Sequence, residues 1–69
     1  MVDIKKENIG RQFLISQGEQ SDTYELLNVN EQSNSAMFIK RIGAREIYMP
    51  IEIGNPKNDK YIFELKING

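Results

Sequence analysis

The sequence predicts an all-β domain: a small antiparallel meander of five strands curled into an SH3-like or partly open barrel. Three observations carry this. Polar and glycine punctuation cuts the chain into short apolar pieces, each the length of a strand. Those pieces alternate with period two, most sharply in REIYMPIEI (45–53). The linkers between them have the length of hairpin loops.

The opening MVDIKKENIG, residues 1–10, holds Ile4 and Ile9 five apart among polar residues and ends on Gly10, which stops any helix. It fits a lead-in with a single helical turn docked on a barrel mouth. The sheet then covers 11–67 within one domain spanning 1–69. RQFLISQ (11–17) is the first strand, with Phe13 and Ile15 on one face and Leu14 on the other. GEQSD (18–22) is a turn, and TYELLNV (23–29) is a second strand rich in types that suit a pleated surface. There Tyr24 and Leu26 share one face, and Leu27 and Val29 share the other. NEQSN (30–34) is a loop. SAMFIKRI (35–42) is apolar on both sides, which points to cover on both faces.

Gly43 and Ala44 make a tight turn into the fourth strand, 45–53. Ile47, Met49, Ile51 and Ile53 face one way, and Glu46, Tyr48, Pro50 and Glu52 the other. Pro50 lacks a donor N–H and belongs at an edge or bulge. GNPKNDK (54–60) is a wide turn. YIFELKI (61–67) closes the set, presenting Tyr61, Phe63, Leu65 and Ile67 on one side. The expected core is the Ile47/Met49/Ile51 face packed on Phe13, Ile15, Phe63 and Leu65.

Composition limits function more than it names it. The 69 residues are 39% hydrophobic and 28% charged, as in a folded chain, and nine basic residues face ten acidic ones for a formal charge of −1. That balance is not the positive excess that marks nucleic-acid binders. A chain this short buries only about 60% of its unfolded surface, and with no cysteine or histidine it has neither disulfides nor the usual zinc ligands to help. A packed core or a second copy, as in a homodimer, is the remaining remedy. The commonest general base and the thiol nucleophile are missing for the same reason. Glu46 and Glu52 stand about 20 Å apart along an extended strand, too far for a carboxylate pair. No nucleotide-binding glycine pattern occurs. The expectation is a non-enzyme without cofactor or metal. Lacking an apolar run of roughly 20 residues, and with no signal-like start, it is placed in the cytoplasm.

Two candidate surfaces follow. The first is a partner-binding surface of Tyr24, Leu26, Arg41, Arg45 and Tyr48, extended by Met37 and Ile39. Tyrosine joins apolar area to a hydroxyl and is enriched at interfaces. The second is a nucleic-acid surface on the 40–48 hairpin, where Lys40, Arg41 and Arg45 would meet phosphates and Tyr48 would stack on a base. There Lys40 and Arg45 are expected to meet across the turn. A second basic group, Lys5, Lys6 and Arg11, has no predicted position relative to the first. The primary expectation is a small binding protein, an inhibitor or adaptor of another protein in a setting such as a virus or mobile element. The alternatives are a nucleic-acid-binding barrel and a structural subunit of an oligomeric assembly that pairs strand edges.

Overall fold

The computed structural model describes residues 3–66. Its five strands are β1 (Gln12–Gln17), β2 (Gln20–Asn30), β3 (Ser35–Ile42), β4 (Arg45–Glu52) and β5 (Ile62–Leu65). All neighbours are antiparallel, in the order β4-β3-β2-β1-β5. The first four form a meander. The last returns across the molecule to pair with β1, setting Phe13 opposite Leu65 and Ile15 opposite Phe63. The sheet is not closed into a barrel. β4 and β5 are its two edges, and the arrangement is partly open. Ile67, expected in the last strand, lies outside the described residues, as do Met1 and Val2 of the lead-in.

Local chemistry sets the turns. Gly18–Glu19 and Gly43–Ala44 are two-residue hairpin loops whose glycines, at φ 61° and 60°, supply the left-handed backbone required at the first loop position. The first loop is shorter than the 18–22 turn the sequence suggested. Gln20, Ser21 and Asp22 instead continue β2 as an exposed hairpin arm opposite Gln17, Ser16 and Ile15. Residues 54–60 carry a 3-10 turn, Pro56–Lys60, begun by Pro56 and capped by the Asn55 side chain, which accepts the Lys57 N–H at 2.9 Å.

β2 organises the curl. Its residues 20–25 pair with β1, while 25–30 pair with β3, so the strand changes partner at Glu25. Immediately afterwards the register shifts between Leu26 and Asn28, leaving Leu27 as an extra residue. A bulge sharpens the local bend and twist. It also reverses the side-chain phase, so that Leu26 and Val29 are both buried although they are three apart.

The core packs inside the curl: Ile4, Phe13, Ile15, Leu26, Val29, Ala36, Phe38 and Ile51, flanked by Tyr24, Met49, Ile53, Tyr61, Phe63 and Leu65. Phe38 is its centre. Its ring meets Phe13 edge-on at 5.4 Å and stacks on Phe63 at 5.7 Å. The expected inner face of β4 is correct in direction. Met49 and Ile51 point to the core, but Ile47 lies beyond it and is 40% exposed. The β3–β4 hairpin outruns the core, leaving both Ile42 and Ile47 at a solvent-facing overhang. The lead-in docks on one end of the curl, with Lys6–Asn8 as a 3-10 turn, Ile4 buried, and Asn8 buried with its side-chain amide donating to the Asp3 carbonyl at 2.7 Å.

Candidate functional site: the outer face of β2, β3 and β4

On the face opposite the core, register places side chains in rows. Tyr48, Ile39 and Glu25 form one row, Pro50, Met37 and Asn28 the next, and Glu46 and Arg41 flank the first. Tyr48 is 53% exposed. Ile39 lies between Glu25 and Tyr48 and is almost shut off from water without belonging to the core cluster. Together with half-buried Met37 and exposed Pro50 these residues make an apolar centre within a polar border. A shallow hollow beside Ile39 is lined by Gln12, Thr23, Tyr24, Glu25 and Arg41, and another by Asn28, Asn30, Met37 and Pro50.

The border is electrostatically satisfied from within. Arg41 Nη1 donates to Glu25 at 3.1 Å, and its Nε lies 3.4 Å from Glu46. The Tyr48 hydroxyl donates to Glu46 at 3.4 Å. Lys40 is on the other face, as alternation predicts. Its Nζ donates to Asp22 at 2.7 Å and stands 5.9 Å from the Tyr24 ring. The hydrogen bond that Lys40 donates to Asp22 raises the lysine pKa above its ordinary value, opposed by partial desolvation. Lys5 and Glu7 pair at 2.8 Å; this raises the lysine pKa and lowers that of the carboxylate, chiefly through the shared hydrogen bond.

The two candidate surfaces are therefore redrawn. Tyr48, Arg41, Met37 and Ile39 do share a face. Leu26 does not join them: it is fully buried on the inner side, where Tyr24 also packs against the core. Arg45 is exposed, but it shares the inner side of β4 with Ile47 and so lies opposite Tyr48 and Arg41. The two-residue turn sets Arg45 across from Ile42 and Lys40 across from Ile47, so Lys40 and Arg45 are not direct cross-strand neighbours. The 40–48 hairpin thus divides its cations between two faces and neutralises Lys40 and Arg41 with its own chain's carboxylates. The Lys40–Asp22 and Arg41–Glu25 contacts come from sequence-distant pairing, and Arg41–Glu46 from the register of the hairpin itself. Pro50 shares Tyr48's face, as alternation along 45–53 predicts.

Among the described residues, no cluster of three or more carboxylates is placed to hold a metal ion. Comparison with protein-family models, with curated proteins and with solved structures finds no match for this chain.

Proposed function

We propose that this chain is a non-catalytic protein-binding module that occludes or modulates a partner through the outer face of β2–β4. The observation that carries the reading is Tyr48, more than half exposed, standing beside Ile39, Met37 and Pro50 on a face the core does not use. An aromatic anchor with an apolar surround and a polar rim is the usual anatomy of a docking site. Because Arg41 is already held by Glu25 and Glu46, the fitting partner surface is apolar at its centre and need not supply an anion at its margin. Phosphate recognition is supported less well, since two of the three cations assigned to it are committed to carboxylates.

The test is site-specific photo-crosslinking. A photoreactive phenylalanine analogue is placed at Tyr48, and as a control at Ile62, which is 65% exposed on β5. A saturable crosslink to one protein from position 48 and none from 62, competed by wild-type chain and not by Tyr48→Ala, is the expected result. Equal competition by Tyr48→Ala overturns the assigned surface. Retention on a nucleic-acid column that falls steeply with salt would favour the other reading instead.

A further inference from the structure

The free edge of β4 has a readable hydrogen-bonding phase. Ile53 donates its N–H to the Asn34 carbonyl at 2.8 Å, and the β3–β4 register runs without interruption from there to the turn. In an antiparallel ladder the pairing groups alternate. The main-chain groups of residues 45, 47, 49 and 51 therefore turn toward β3, while those of Glu46, Tyr48 and Pro50 turn outward and are free. The outward Glu52 carbonyl already accepts from the Asn55 N–H and the Asn58 side-chain amide. Pro50 sits where its missing N–H costs the ladder nothing. It also removes one outward donor, so between Arg45 and Pro50 the available donors are Glu46 and Tyr48.

We infer that this edge pairs with the same edge of a second copy, antiparallel across a two-fold axis at Ile47. Charge and the proline select the register. Centring the axis on Tyr48 would set Glu46 against Pro50, whose missing N–H leaves the Glu46 carbonyl without a donor. Centring it on Glu46 would oppose two like carboxylates directly, and centring it on Met49 would set Glu46 against Glu52. With the axis at Ile47, Glu46 of each copy pairs with Tyr48 of the other, and each exchanges both main-chain bonds. Ile47 meets Ile47 of the second copy, and Arg45 meets Met49. No like charges are opposed. The contact covers Ile47, an apolar side chain that the chain's own core leaves in water, and the isologous geometry closes at two copies. β5 is a poorer edge. Lys66 donates to the Gln12 carbonyl, which leaves only Phe63 and Leu65 of this four-residue strand turned outward.

The pairing does not require the partner-docking reading: its bonds are main-chain bonds and the Ile47 side chain is on the opposite face from the patch, while the Tyr48 side chain gains Glu46 of the second copy as a neighbour at the patch's edge. The chain contains no cysteine, which permits a direct test. In a non-hydrogen-bonded antiparallel pair, Cα atoms about 4.5 Å apart lie within disulfide range. Under a mild glutathione redox buffer Ile47→Cys is expected to crosslink to itself at least tenfold faster (roughly, from proximity alone) than Glu52→Cys, which is far from the axis. In light scattering the wild type is expected at twice the 8.0 kDa chain mass, Tyr48→Ala likewise, and Ile47→Lys at the single mass. Circular dichroism of Ile47→Lys checks that the fold is kept. A wild-type monomer up to about millimolar concentration, where even pairs of μM affinity would be associated, overturns the inference. So does a folded Ile47→Lys dimer, equal crosslinking at 47 and 52, or oligomers that keep growing with concentration.

Discussion

Replacing Phe38 with leucine tests the core assignment most directly. Phe38 is fully buried on a central strand and is the ring shared by the Phe13 and Phe63 contacts. Leucine keeps much of the apolar area but abolishes both aromatic pairs, each worth about 0.5–1.5 kcal/mol. The expected loss is therefore about 1–3 kcal/mol. Alanine would cost about 3–5 kcal/mol, against a total for 69 residues of about 3–10 kcal/mol. It risks removing the folded state, which is why leucine is preferred. Ile47→Ala is the matched comparison. Its side chain is 40% exposed, so its truncation should cost less than about 1 kcal/mol in the monomer. The sequence alone ranked Ile47 with the core and would predict similar losses for both. With a shift of about 4–8 °C per kcal/mol in a domain of this size, thermal melts by far-ultraviolet circular dichroism separate the two outcomes. They should be recorded at a concentration low enough to exclude association. An Ile47→Ala melting temperature depressed as far as that of Phe38→Leu would refute the placement of the overhang and the centre of the core together.

Three further outcomes are expected. Gly43→Ala should destabilise by about 1–2 kcal/mol, because a Cβ there meets nothing within 4 Å and only the left-handed φ opposes it. D-alanine at 43 should match or exceed glycine, and a loss with both would implicate something other than backbone. Asp22→Asn should lower stability between neutral pH and the ordinary lysine pKa of 10.5, with the gap to wild type closing as pH rises through the higher value that Lys40 has in the folded chain. The sign follows from a raised pKa: the folded state holds its proton more tightly, so the contribution is complete below 10.5 and is lost above. A gap that widens with alkalinity in urea melts would contradict the pairing. Arg41→Glu should cost about 0–2 kcal/mol, the loss of two exposed ion pairs of about 0–1 kcal/mol each. Against a like-charged Glu25 and Glu46, however, it should weaken capture at Tyr48 without abolishing the fold, as the photo-crosslinking yield would show.

What could be read in advance divides along local and non-local lines. Alternation in 45–53 correctly set Met49 and Ile51 against Tyr48 and Pro50, because a strand fixes which side chains share a face. The glycines at 18 and 43 announced their turns through the one residue that adopts positive φ freely. How far a strand outruns the core is not written in its own residues. Ile47 therefore looked buried, and Gln20–Asp22 looked like loop when it is a polar hairpin arm. Period two paired Leu27 with Val29, and the Leu27 bulge broke that pairing by inserting one residue between faces. Nothing in TYELLNV marks where such a slip occurs. Leu26, which precedes the bulge, keeps Tyr24's face, and that face is the inner one, so it belongs to the core and not to the candidate surface. The ion pairs of Lys40 with Asp22 and of Arg41 with Glu25 join β3 to β2 at positions 18 and 16 residues away, and only the register of a folded sheet reveals them; the Arg41–Glu46 contact is local to the β3–β4 hairpin.

β5 differs from the other strands in how it is attached. No hairpin ties it to β1, and Phe13 and Leu65 meet across roughly fifty residues of intervening chain, the kind of distant closure that folds late. A strand added last to a preformed groove is also one that can be supplied separately. Cleavage within the exposed 54–60 segment should leave a larger piece with a vacant berth along β1 and above Phe38, and a synthetic peptide carrying Ile62–Leu65 should fill it. The molecule is thereby a natural candidate for a split, self-reassembling tag whose two parts report on each other's proximity.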